Sequence, residues 1–129
     1  MAAPGISGIA IALWACEPEA PHRLATPLFH AAAAAAMDLQ VELYFTARSV
    51  LLLQPGVADA LRASPHHDKT IGDALREAHA HGARLLACTD ALHANGLARD
   101  GLIAECAGHG GAVQFMARAA DPGWRVLVY

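Results

Sequence analysis

The sequence predicts an α/β protein: a three-layer α/β/α sandwich around a mainly parallel sheet of about five strands. Two observations carry that expectation. Short apolar, β-rich runs alternate along the chain with stretches of helical spacing, as in repeated βαβ units. The span between the first two runs holds a helix, as a parallel crossover requires. The 129 residues fit one domain, 1–129, with no internal repeat or linker.

Taken in order, Gly8 to Ala15 is a continuous apolar run, as in a strand buried on both faces. The prolines of Cys16-Glu17-Pro18-Glu19-Ala20-Pro21 end it. Thr26-Pro27 reads as a helix start, a hydroxyl N-cap followed by proline, with Pro21 as an earlier alternative. The helix runs through Ala31 to Ala36 and stops near Asp38. Its six alanines are strong helix formers, small enough to lie close to a sheet or a partner helix. Val41 to Thr46 is the second strand. Ser49 to Leu53 reads as one or two helical turns, and Val57 to Arg62 as a short helix. Ser64 to Asp68 is a polar loop. Thr70 to His81 places Ile71, Leu75 and Ala78 on one face, with Gly82 as its stop. Arg84 to Ala87 is a strand, and Thr89 to Ala94 a short helix closed by Asn95-Gly96. Leu97 to Ala107 reads as a loop and a short helix, and Gly108-His109-Gly110-Gly111 as a flexible turn before a helix to about Ala119. Asp121-Pro122-Gly123 is a turn, and Trp124 to Tyr129 the last strand.

Composition narrows the function. Hydrophobic residues make up 55% of the chain and charged residues 16%, so self-association is expected to cover part of the surface. The nine basic residues, only one of them a lysine (Lys69), and the net charge of −3 do not form a nucleic-acid footprint. The run from Ile6 to Ala15 is too short to span a bilayer and has no basic residue before it, so neither a membrane span nor a secretory signal is expected. Three widely spaced cysteines, Cys16, Cys88 and Cys106, are not a disulfide framework, and they suit a reduced, cytoplasmic setting.

Cys88 is the leading functional candidate. It stands where an apolar strand joins a helix, the edge of a parallel sheet where ligands and reactive groups collect. Free N–H groups in a helical first turn favour a thiolate, while Asp90 beside it opposes one. Arg48 or Arg84 are candidates to offset that carboxylate. An inert, buried thiol is the plainer reading of the same position. Cys16, just past the first strand, shares the same sheet edge. It is a candidate resolving partner for Cys88 or, with His22 or His93, a metal ligand, although the spacing fits no ligand motif. Thr89, Asp90 and His93 are weaker ligand-binding candidates. Gly108 to Gly111 is a candidate backbone cradle for an anion, without a dinucleotide or P-loop signature.

The ordered set of segments resembles the DsrE/DsrF-like family over nearly the whole chain. The resemblance rests on the first apolar strand, the Ala-rich helix Phe29 to Met37, and Val-Glu-Leu-Tyr-Phe-Thr followed at once by Ser-Val-Leu-Leu-Leu. It continues through the strand Leu85-Leu86-Ala87 ending in Cys88, the helix closing on Asn95-Gly96-Leu97, and Gly110-Gly111-Ala112 ahead of the final Arg-Val-Leu-Val strand. It implies a sulfur-relay or sulfurtransferase-like protein that carries sulfane sulfur as a persulfide on Cys88. It also implies a trimer or hexamer, with sulfur donor and acceptor proteins as partners. No cofactor or structural metal is expected. The alternative is a non-catalytic oligomeric module that binds a small ligand, with Cys88 only lining the pocket.

Overall fold

The computed structural model describes residues 5–129. The start of the chain that bears on the signal expectation, residues 1–4, lies outside them. Five strands form one sheet: β1 Gly8–Leu13, β2 Gln40–Phe45, β3 Arg84–Ala87, β4 Cys106–His109 and β5 Trp124–Val128. Their order is β4-β3-β2-β1-β5, and every neighbouring pair is parallel. The helices are α1 Ala25–Ala36, α2 Ile71–Ala80, α3 Thr89–Ala94 and α4 Ala112–Ala120. The chain winds from β1 out to β4, then returns through α4 to set β5 against the far side of β1.

Strand alternation sorts the side chains into two faces of unequal depth. Ile11 and Leu13 of β1, Leu43 and Phe45 of β2, and Leu85 of β3 enter one core with Leu28, Leu75 and the alanines of α1. Ala31, Ala34 and Ala35 are buried there, and their short side chains let α1 approach both the sheet and α2. Each large side chain fully buried in this layer contributes roughly 1.5–3 kcal/mol. The opposite face is thinner. Ala10, Tyr44, Leu86 and Trp124 form a small cluster there, joined by Phe115 of α4 and by Val126. No residue of α4 is fully buried, and Val113 and Met116 stand 88% and 60% exposed.

Local signals explain most boundaries. Thr70 caps α2 in a reciprocal box: its hydroxyl accepts from the Asp73 N–H, and the Asp73 carboxylate accepts from the Thr70 N–H. Gly82 follows α2 with φ 111°, the left-handed turn that glycine makes without strain. The buried Ser49 hydroxyl lies 2.7 Å from the carbonyl oxygens of Leu13 and Thr46, tying the ends of β1 and β2 to the 3₁₀ segment Ala47–Leu53.

Three expectations are corrected. Thr26 is not an N-cap: α1 begins at Ala25, after a 3₁₀ turn at Pro21–Arg23, and carries no side-chain cap. The chain from Leu97 to Ala107 contains no helix, and Cys106 begins β4. Gly108 and His109 are strand residues rather than a turn. β4 is a short edge strand without β-branched residues; pairing with β3, through an irregularity between Leu85 and Leu86, supplies the order its own sequence lacks.

Candidate functional site

β2 and β3 end level with one another, Phe45 opposite Ala87. The ladder continues one residue further, because the Cys88 N–H donates to the Phe45 carbonyl at 2.9 Å. The Cys88 carbonyl then accepts from the Leu92 N–H at 3.0 Å, starting α3. Cys88 is thus the hinge between strand and helix, with extended backbone angles of φ −73° and ψ 117°. Its thiol makes no capping bond and is half-buried.

Cys88 borders a cavity of about 490 Å³ at the carboxyl edge of the sheet. The walls come from Ala12 of β1, Tyr44 and Thr46 of β2 and its exit, Cys88 to Asp90, Gly110 and Gly111 ahead of α4, and Ala112 and Phe115 of α4. Tyr44 and Phe115 meet edge to face, with ring centres 5.1 Å apart. Gly110 is tightly enclosed: an added Cβ would stand 2.9 Å from the Tyr44 ring and 3.1 Å from Leu86. Its N–H donates to Ala87 at 3.1 Å, which brings the α4 approach down beside β3.

A charge network under α4 fixes the cavity's second wall. Glu42 is 2% exposed, and Arg118 of α4 donates to both its carboxylate oxygens at 2.9 Å. The Tyr44 hydroxyl donates to the same carboxylate at 2.6 Å, and Arg84 lies 3.7 Å away. The Arg118 guanidinium also rests over the Trp124 ring, 4.2 Å from its centre. Burial pushes the Glu42 carboxyl up, but the bonds from Arg118 and Tyr44 and the two arginine charges outweigh it, so the group sits below the usual range. Burial, then the bond and charge of Glu42, push the Tyr44 phenol up to about 12, which keeps it protonated.

The structure brings together part of the expected site. Cys88, Thr89 and Asp90 line the cavity. Cys16 does not: it is 2% exposed within the core of the α1 face, and burial raises its thiol. His93 is exposed in the last turn of α3, away from the lining, and His22 is exposed in the 3₁₀ turn. Cys88, Cys16 and a histidine therefore form no metal site, and no cluster of three or more His, Cys, Asp or Glu suited to a metal occurs among the described residues. Arg48 pairs with Glu17 and Glu19, and Arg84 with Glu42, rather than with Asp90. Gly110 and Gly111 do belong to the site, as expected of a helix approach, but as walls of a largely apolar cavity.

Tyr44, Thr46, Ala12 and Phe115 were not singled out by sequence. The signal for Tyr44 is the alternation in Val41 to Thr46: with Leu43 and Phe45 in one core, Glu42 and Tyr44 must face the other side. For Phe115 and Ala12 no local signal exists, since only the return of α4 across the sheet brings them together.

The DsrE/DsrF-like family model matches residues 11–129. No functionally curated protein matches the chain. Among solved structures, the YchN protein of E. coli superposes with a TM-score of 0.73 at 18% identity, covering 96% of this chain and 100% of that one. MTH1491 of Methanobacterium thermoautotrophicum, a protein of unknown function, superposes with a TM-score of 0.68 at 16% identity, covering 95% and 99%. At those identities the two neighbours establish the shared fold. With almost its entire length matched by the family model, the chain belongs to the DsrE/DsrF-like family.

Proposed function

We propose that the protein is a sulfur-relay component that carries sulfane sulfur as a persulfide on Cys88. One observation carries the reading: Cys88 joins β3 to α3 with a thiol free of capping bonds at the wall of a ligand-sized cavity. Membership of a family associated with sulfur relay supports it. The Cys88 thiolate attacks the outer sulfur of a donor R–S–SH. The donor S–S bond breaks, R–S⁻ leaves, and Cys88–S–SH forms. An acceptor thiolate then attacks that outer sulfur and regenerates the Cys88 thiolate, with no net oxidation. Donor and acceptor are partner proteins or small thiols in a reducing, cytoplasmic compartment, and the working unit is a trimer or hexamer. No helix among the described residues is long and apolar enough to cross a membrane.

The test is cyanide-labile sulfur after incubation with a persulfide donor. Wild type is expected to carry about one equivalent and Cys88→Ser none. Equal loading of the two proteins would refute the assignment. Asp90 and the cavity favour a second reading, a small-ligand module in which Cys88 is only part of the wall. Under that reading ligand binding survives Cys88→Ala and the thiol alkylates no faster than a free cysteine.

A further inference from the structure

The cavity beside Cys88 has a definite chemical character. Its volume of about 490 Å³ is within the roughly 300–1,000 Å³ of small-molecule sites. The Tyr44 and Phe115 rings, Ala12, Ala112 and two glycines supply most of the wall, and the remaining contributions are Thr46, Cys88, Thr89 and Asp90. Among the described residues, no Lys, Arg or His lines it. Arg118 and Arg84, on the same face of the sheet, are both paired with Glu42. The first turns of α3 and α4 open on the cavity, each worth about half a positive charge at most. The acidic side chain of Asp90 stands on the same wall and works against them. A small oxyanion would therefore exchange its hydration for aromatic and alanine surface without a counter-charge. An uncharged apolar body would bury its surface at no such cost.

We infer that this cavity binds an uncharged, apolar organic molecule and discriminates against small anions. Taken with the sulfur-relay reading, on which this step rests, the small-molecule donor or acceptor at Cys88 is an organic persulfide or thiol with an apolar R group, rather than thiosulfate or inorganic polysulfide. The Cys88 thiolate attacks the outer sulfur of R–S–SH with R seated against Tyr44 and Phe115, and R–S⁻ departs from the cavity.

Binding and chemistry can be tested apart. Benzyl methyl sulfide and benzylsulfonate share an aromatic body and differ in charge. Titration calorimetry with Cys88→Ser removes any covalent step. The sulfide is expected to bind at least about tenfold more tightly than the sulfonate. Gly111→Leu should reduce sulfide binding by about tenfold or more, because a side chain there grows into open space. Gly111 has φ −112°, which any residue adopts, and Ala112→Leu at the exposed first position of α4 gives a second filling variant. Asp90→Asn should narrow the gap between the two ligands. Sulfonate binding as tight as sulfide binding, or sulfide binding unchanged in both filling variants, would overturn the inference. Loading of Cys88 by thiosulfate as fast as by benzyl hydropersulfide would overturn the assigned donor class while leaving the relay intact. Selective sulfide binding without any loading of Cys88 would support the cavity's selectivity and reject the relay.

Discussion

At the scale of residues, the three cysteines have been given different work by their surroundings. Cys16 is sealed in the core and Cys106 is held against β3, and burial raises both thiols. Cys88 is half-buried beside open space. Iodoacetamide followed by mass spectrometry should modify Cys88 first, Cys106 more slowly and Cys16 only on unfolding; prior labelling of Cys16 would contradict the placement. Glu42 is the other decisive residue. Removing Arg118 leaves its buried carboxylate with Tyr44 and the more distant Arg84. Arg118→Ala should cost about 2–3 kcal/mol, below the 3–5 typical of a fully buried pair because Arg118 is partly exposed. The sign with pH follows from the lowered Glu42 carboxyl. Its stabilisation is full above the unfolded carboxylate value of about 4.3 and is lost as pH falls through the lower folded value. Urea midpoints measured against pH should therefore fall on acidification, and less steeply in Glu42→Gln.

At the scale of elements, α4 decides whether a cavity exists. It is held to the sheet at one end by Arg118 on Glu42 and at the other by the Gly110 N–H on Ala87. Gly110→Ala would press a methyl group into Tyr44 and Leu86, an overpacking of about 1–3 kcal/mol that pushes the α4 approach off the sheet. A lowered denaturation midpoint with weakened cavity binding is expected, whereas an unchanged midpoint would show that the approach yields freely. Elements with their own local signals were legible in sequence: β1 and β2 from apolar runs, α2 from the face of Ile71, Leu75 and Ala78 and from Gly82, and the β3–α3 join from its change of period at Cys88. β4 was not, because Cys-Ala-Gly-His has no strand character apart from its partner. The site was legible where it is local, from Cys88 to Asp90. The aromatic wall and the burial of Cys16 depend on which elements pack together, and no spacing encodes that.

At the scale of the molecule, the two faces of the sheet are unequally covered. α1 and α2 seal one, while α4 leaves Val113, Met116 and Val128 exposed on or beside the other. With the low charge content, this favours the proposed homo-oligomer. Sedimentation velocity should give a mass several times that of one chain, and Val113→Glu with Met116→Glu should reduce it; a wild-type monomer at micromolar concentration would exclude the assembly. Cys88 as the sulfur carrier is tested by the cyanide-labile sulfur that wild type and Cys88→Ser retain after exposure to a persulfide donor and removal of excess reagent. About one equivalent on wild type and none on Cys88→Ser is the expected result. Equal sulfur on both proteins, or none on wild type with any donor, would contradict it.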